Sequence, residues 1–345
     1  MKISSLLRCG AAAATLIFAL TACSDDNCTV NGTVEDIEGL SGCKVLIGQT
    51  RAESDTVEVI DGKFTYTCPI NPDAFENILF VCDNQGKDHR YRIQFVPDSK
   101  SIGISLGEEC AVTGSPLSET WLRIRKESGR IGQQEGPDAC TEYRKQAYLE
   151  NCANVLGKEI FPLFARYLTL EEFDELLSKG TEELKNDPKI GEIRKDKVAE
   201  EATSAGCKFV DFSGKTPDGK DVSLSEYVGA GNTLTLVDFW ASWCGPCMKS
   251  MPKLAEIRDR WHDKGLQVVG VAVWDKDNSA SRIKVKEKGM VWPQIFVGED
   301  RSCTDSYGIF GIPYTILIDS NGTIVERGVA NLDKMEQIIS EKLGK

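Results

Sequence analysis

The feature that most constrains this chain is a pair of cysteines, Cys244-Gly245-Pro246-Cys247, set where a buried apolar run gives way to a helical pattern. Upstream, Leu234 to Trp240 reads Leu-Thr-Leu-Val-Asp-Phe-Trp, the pattern of a strand covered on both faces. Downstream, Met251, Leu254, Ile257 and Trp261 recur at helical spacing. Strand, turn and helix in that order, followed by more of the same alternation, predict an α/β domain over residues 206–345. The position also has chemical meaning. The first sulfur falls at a helix N-terminus, where unpaired N–H groups and the helix dipole favour a thiolate. The second, three residues on, shares its face and can attack a mixed disulfide formed by the first. Cys244 is thus the expected nucleophile and Cys247 the resolving thiol, while Pro246 in the first turn forfeits no hydrogen bond and stiffens the loop.

Half of a zinc site is the competing reading of two cysteines at this spacing. A tetrahedral site needs two more nitrogen or sulfur ligands, and the segment offers only His262 and the isolated Cys207 and Cys303. The expectation is therefore no metal and no other cofactor, the Cys244–Cys247 disulfide being itself the redox group.

The run Val237-Asp238-Phe239-Trp240-Ala241-Ser242-Trp243-Cys244-Gly245-Pro246-Cys247 resembles the active-site signature of the thioredoxin superfamily. A second segment, Gly311-Ile312-Pro313-Tyr314-Thr315 before Ile316-Leu317-Ile318-Asp319, is similar in order and spacing to that superfamily's cis-proline loop. The resemblance implies a cis Ile312–Pro313 bond beside the disulfide, with the backbone of Ile312 open to a substrate strand. It makes Trp243, Gly245, Pro246, Ile312 and Pro313 the substrate-facing surface. It also implies that Asp238 takes or relays the proton when Cys247 attacks, and a carboxyl in an apolar strand should have the raised pKa that suits this. Trp240 and Trp243 are expected to pack and shield the site, and Lys249 to be a surface charge.

The opening of this domain, Phe209-Val210-Asp211-Phe212 through Val222-Ser223-Leu224, resembles the membrane-attached TlpA/ResA-like branch of thiol–disulfide oxidoreductases. Cytochrome-maturation members commonly carry a glutamate three residues after the second cysteine, where this chain has Ser250, and Tyr314 replaces the more usual threonine. A dedicated apocytochrome substrate is therefore not implied.

The N-terminus agrees with a membrane setting. Lys2 and Arg8 precede the apolar stretch Gly10 to Leu20, too short for a permanent span, and Leu20-Thr21-Ala22-Cys23 resembles a bacterial lipobox. Residues 1–22 are then a signal peptide, Cys23 the lipid anchor and 23–27 a tether. The site faces the periplasm in this reading, although Ser24-Asp25-Asp26 resembles a surface-export signal. A formal charge of −12 repels polyanions and excludes nucleic acid as a partner.

Residues 28–114 show period-two runs separated by turn residues: 29–34, 44–47, 56–60, 63–67, 77–81, 91–96 and 101–106. They predict an antiparallel β sandwich or open barrel, with a type I′ hairpin at Asp61-Gly62. From Asn31-Gly32-Thr33-Val34 to Val112-Thr113-Gly114-Ser115, the layout is similar to the β domain of unassigned role that precedes thioredoxin domains in envelope lipoproteins. Residues 115–205 turn to helical periodicity, over Leu117 to Lys126, Cys140 to Leu156 and Leu170 to Leu177. Thr169 with Glu172 predicts a capping box, Gly180 a helix end, and the runs Glu182-Glu183 and Arg194-Lys195-Asp196-Lys197 solvated faces.

Three functions follow in order of preference. The first is a thiol–disulfide oxidoreductase of the envelope, reducing or isomerising disulfides in envelope proteins, with a membrane thiol reductant as electron donor. Gly-Pro between the cysteines resembles reducing members of the superfamily. The second is a thioredoxin-fold peroxidase of AhpC/TSA type, whose Pro-x-x-x-Thr-x-x-Cys arrangement is replaced here by Asp238-Phe239-Trp240-Ala241 upstream of Cys244. The third is a binding protein working through its β domain. Thirteen cysteines suit an oxidising compartment. Setting aside Cys9, Cys23 and the redox pair leaves Cys28, Cys43, Cys68, Cys82, Cys110, Cys140, Cys152, Cys207 and Cys303, an odd set whose pairing spacing alone does not reveal.

Overall fold

The computed structural model describes residues 26–35, 42–50, 53–81, 91–329 and 331–344. The expected signal peptide over residues 1–22, Cys23 and Cys82 lie outside the described residues. The chain divides into two compact units, Met1–Arg130 and Ile131–Lys345.

In the first unit, β1 (Asn27–Val34), β2 (Lys44–Gly48), β3 (Asp55–Glu58), β4 (Lys63–Pro69), β5 (Glu76–Val81), β6 (Arg92–Phe95), β7 (Ser101–Leu106) and β8 (Ala111–Thr113) form two four-stranded sheets. Their orders are β4-β1-β7-β8 and β3-β2-β5-β6. Alternate residues of both sheets, among them Val30, Phe64, Ile102 and Ile104 from one and Val45, Ile47, Phe80 and Phe95 from the other, share one core. Burying such a side chain contributes about 1.5–3 kcal/mol. Asp61 (φ 50°) and Gly62 (φ 73°) both take the positive φ that a type I′ turn requires, and Ile60 and Lys63 exchange backbone bonds of 2.9 Å across it.

Two expectations need correction here. The strands are not all antiparallel: β1 and β7 run parallel, with Val30 opposite Ile102. Parallel neighbours need a crossover, and strands of the other sheet supply it, which local alternation does not reveal. Asn27, assigned to the tether, is the first residue of β1, where it pairs with Pro69.

The helix α1 (Pro116–Gln134) follows. In the second unit come α2 (Pro137–Asn151), α3 (Val155–Ile160), α4 (Leu170–Ser178), α5 (Glu182–Lys185) and α6 (Pro188–Ala202). The pattern read as one helix over Cys140 to Leu156 breaks because Asn154 caps α3, accepting from the Leu156 N–H at 2.9 Å. The Thr169–Glu172 capping box forms at the start of α4, which ends at Ser178 with Lys179 as its C-cap, one residue before Gly180. The charge run on α6 is only partly solvated. Lys197 is buried, its Nζ donating to the Arg166 carbonyl at 3.2 Å and to Glu200 at 2.5 Å, and Asp196 accepts from Arg166 at 2.5 Å. A buried ammonium is retained because each of these partners compensates its lost hydration.

The rest of the unit is a seven-stranded sheet with helices. Its elements are β9 (Ser213–Lys215), β10 (Asp221–Ser223), β11 (Leu234–Trp240), α7 (Gly245–Trp261), β12 (Leu266–Val273), α8 (Asn278–Glu287), β13 (Gln294–Gly298), α9 (Ser302–Ser306), β14 (Tyr314–Asp319), β15 (Ile324–Val329) and α10 (Leu332–Leu343). The strand order is β10-β9-β13-β12-β11-β14-β15, with β11, β12 and β13 parallel and β14 and β15 antiparallel to their neighbours. Every residue of β11 is buried. Its Leu234, Leu236 and Trp240 join a core with α7 and α10, and its Val237 and Phe239 join the core on the other face. A strand buried on both sides reads as a continuous apolar run, which is why the one carboxyl inside it stands out.

Candidate active site

The backbone leaves β11 through Ala241-Ser242-Trp243 and enters α7 with Cys244 as N-cap, in an extended conformation. Cys244 and Cys247 are joined by a disulfide, and the Cys247 N–H donates to the Cys244 sulfur at 3.1 Å. The open N-terminal turn of a 17-residue helix therefore faces that sulfur. Pro246 lies in the first turn, where no backbone donor is lost. Both cysteines are buried, whereas Gly245 and Pro246 are exposed and Trp243 is 63% exposed, so the disulfide lies under a small apolar surface.

Asp238 has the same parity on β11 as Leu236 and Trp240, and so lies on the face of the sheet that packs against α7. It is 2% exposed, and burial pushes its carboxyl up to about 7. Its Oδ2 has no hydrogen-bond partner among the described residues. Directly opposite on β14 is Thr315, whose hydroxyl is likewise buried and without a partner among them. The Ile312–Pro313 peptide is cis, and Ile312 packs against the cluster that holds both cysteines. Ser250 turns back into its own helix, its hydroxyl donating to the Cys247 carbonyl at 2.9 Å, and Lys249 is exposed.

Four supporting residues escaped the sequence reading. Asp275, buried just beyond the end of β12, accepts from the Ser242 N–H at 3.1 Å and the Ser242 hydroxyl at 2.6 Å, and also from Ser281. It thereby holds the loop ahead of Cys244. An acid just past the C-terminal end of a parallel strand is the signal that could have found it. Trp274 adopts φ 58°, a left-handed conformation costly for a bulky side chain, and its carbonyl accepts from the Trp243 indole at 3.2 Å. Gln294 accepts from the Trp240 indole at 3.1 Å. Arg327, on β15, donates to the Tyr314 hydroxyl one residue after Pro313. Nothing in the sequence near Trp274 or Arg327 signals these roles.

Among the described residues no group of three or more His, Cys, Asp or Glu side chains could hold a metal ion. The reacting group is the Cys244–Cys247 disulfide itself, which can exchange two electrons with another dithiol or disulfide.

Residues 205–327 match the AhpC/TSA family. The thiol-disulfide oxidoreductase ResA of Bacillus thuringiensis is 24% identical over 144 residues, 41% of this chain and 80% of that protein. ResA of Bacillus subtilis is 28% identical over 129 residues, 37% of this chain and 69% of its own length. The solved thioredoxin domain of a thiol-disulfide oxidoreductase from Bacteroides vulgatus is 27% identical, with a TM-score of 0.37 over 41% of this chain and 98% of that one. The C-terminal region has a thioredoxin-like fold, the part of the chain that the AhpC/TSA family model matches. With its cysteine pair and these relatives, the chain is a thiol–disulfide oxidoreductase.

Proposed function

We propose that the chain works in the cell envelope as a protein-disulfide reductase or isomerase, anchored through lipid on Cys23 once residues 1–22 are removed. The β region 28–114 is read as a sandwich-like domain of separate role, 115–205 as a helical spacer and 206–345 as the redox domain. The observation that carries the reading is the disulfide at the N-terminus of α7, with a buried Asp238 on the same side of the sheet.

In the reduced enzyme, the Cys244 thiolate attacks one sulfur of a substrate disulfide. The substrate S–S bond breaks, a mixed disulfide forms, and the released sulfur takes up a proton. Cys247 then attacks the Cys244 sulfur, passing its proton to the Asp238 carboxylate as the second substrate thiol leaves and is protonated. The substrate has gained two electrons and the enzyme ends with Cys244 joined to Cys247. A membrane thiol reductant returns the pair to the dithiol. Trp243, Gly245 and Pro246, with Ile312 and Pro313, form the surface on which an extended substrate segment lies.

A second reading, peroxidase, draws support from the family's name. Against it stands Asp238-Phe239-Trp240-Ala241 ahead of Cys244. Turnover of a hydroperoxide by the purified protein without added thioredoxin would favour that reading. The direct test of the first replaces Cys247 with Ala, recharges the protein with reductant and collects envelope proteins held on Cys244 as mixed disulfides. An empty trap overturns the reductase reading.

A further inference from the structure

Outside the redox site, two cysteines face one another across a strand pair. Cys28 on β1 is the register partner of Cys68 on β4 in an unbroken antiparallel ladder from Asn27–Pro69 to Thr33–Lys63. Register partners in an antiparallel pair point to the same side, and both side chains belong to the core of the first unit. The ladder's phase is set at its two ends: the Ile70 N–H donates to the Asp26 carbonyl and the Val34 N–H to the Gly62 carbonyl, each at 2.8 Å. Alternation from either end makes Cys28–Cys68 a hydrogen-bonded pair. Both are free thiols in the structure; the Cα atoms of such a pair lie about 5.5 Å apart, inside the Cα range of a disulfide, and closing the bond draws the two Cβ atoms together by about 1 Å. Burial raises both thiols, and each lies near enough to perturb the other.

We propose that Cys28 and Cys68 form a structural disulfide, a covalent site separate from Cys244–Cys247. Two S–H bonds break and one S–S bond forms, releasing two protons. The two electrons pass to a small-molecule or protein disulfide, which is reduced to two thiols. The bond closes while the chain is folding, because Cys28 is fully buried and Cys68 is 8% exposed once β1 and β4 have paired. In the folded dithiol, burial also pushes the Cys68 thiol up to about 12, leaving almost no thiolate to react late.

The location gives the bond a purpose. β4 is the terminal strand of its sheet, held by backbone bonds to β1 alone on its inner side. An edge strand is where a sheet frays and where a second chain can add. A cross-link to β1 fixes that edge and also closes a loop containing β2 and β3.

The test uses the full chain, folded with oxidised glutathione as the disulfide donor, then denatured in iodoacetamide with no reductant and cut after lysine and glutamate. Cleavage at Glu35, Lys63 and Glu76 separates Cys28 and Cys68 from Cys43 and Cys82. The expected product is the peptide ending at Glu35 joined to Phe64–Glu76, with fragmentation placing the bond on Cys28 and not on Cys9 or Cys23, and it disappears on reduction. Alkylated Cys28 and Cys68 in most chains, or either cysteine joined to a different one, overturns the proposal. As a second arm, the Cys28→Ser, Cys68→Ser variant should unfold at a lower urea concentration than the parent without reductant. An equal midpoint overturns the stabilising role, and the Cys247→Ala trap still reports on the redox site independently.

Discussion

Arg327 donates from Nε to the Tyr314 hydroxyl at 2.9 Å, while its terminal nitrogens reach the carbonyls of Tyr307 at 2.5 Å, Thr203 at 3.1 Å and Glu200 at 3.3 Å. One guanidinium thus joins the end of α6 to the residue that follows the cis proline. Lysine has neither the planar fork nor enough donors to serve these acceptors together. Arg327→Lys should therefore lower stability by about 1–3 kcal/mol, since it leaves partly buried carbonyls unpaired. Urea unfolding measures this, and Tyr314→Phe, which removes a single partner, should cost less.

Asp238 makes stability depend on pH in a direction opposite to that of a salt-bridged acid. Its carboxyl moves from the ordinary 3.8 to about 7 on folding because it is desolvated. Between those values the folded state holds a proton that the unfolded state has lost, so stability falls as pH rises through the window and levels off above it. The full effect is roughly 4 kcal/mol. Asp238→Asn should abolish that fall, raising the unfolding midpoint at pH 8 relative to the parent and leaving it little changed at pH 4.

The same substitution tests the proton-relay role. Without an acceptor for the Cys247 proton, resolution of a mixed disulfide should slow by about 10²-fold near neutral pH. Stopped-flow fluorescence from Trp240 and Trp243 follows the step, and an unchanged rate removes Asp238 from the mechanism.

Asp275→Ala removes the acceptor for three donors around Ser242 and Ser281. Each bond to a charged acceptor contributes about 1.5–3 kcal/mol, so a loss near the upper end of single-residue effects is expected in thermal unfolding. The loop before Cys244 also loses its support, and the rate of disulfide reduction should drop more than in Asp275→Asn, which keeps one acceptor oxygen.

Glu336 on α10 accepts from Lys253 at 2.6 Å and Arg260 at 2.5 Å on α7, and Lys253 in particular holds its carboxyl below the usual range. Its contribution is complete above the unfolded value of 4.5 and is lost as pH falls through the lower folded value. With partly exposed cations, the effect is about 1 kcal/mol. Glu336→Gln should show that loss at pH 7 and converge with the parent in acid unfolding curves.

Where chemistry and local rules coincide, the sequence was informative. The cysteine pair, the cis bond before Pro313, the Asp61-Gly62 turn and the Thr169–Glu172 box each rest on interactions within a few residues or on a motif with a fixed place in a fold. What escaped depends on partners far along the chain. The parallel pairing of β1 with β7 is set by a crossover through the other sheet. Lys197 reads as a solvated charge until Arg166 is seen to present its carbonyl, and Arg327 becomes a hub only because residues 200–203 arrive beside it. The Cys28–Cys68 pairing likewise needs the register, which five cysteines between residues 28 and 110 leave undetermined on their own.

The start of β1 at Asn27 sets a leash length. Four peptide units separate it from Cys23, so even a fully extended connection reaches at most about 14 Å. With the lipid that we propose on Cys23, the first sheet would start within that reach of the headgroups, a foot on the membrane rather than a body drifting on a long chain.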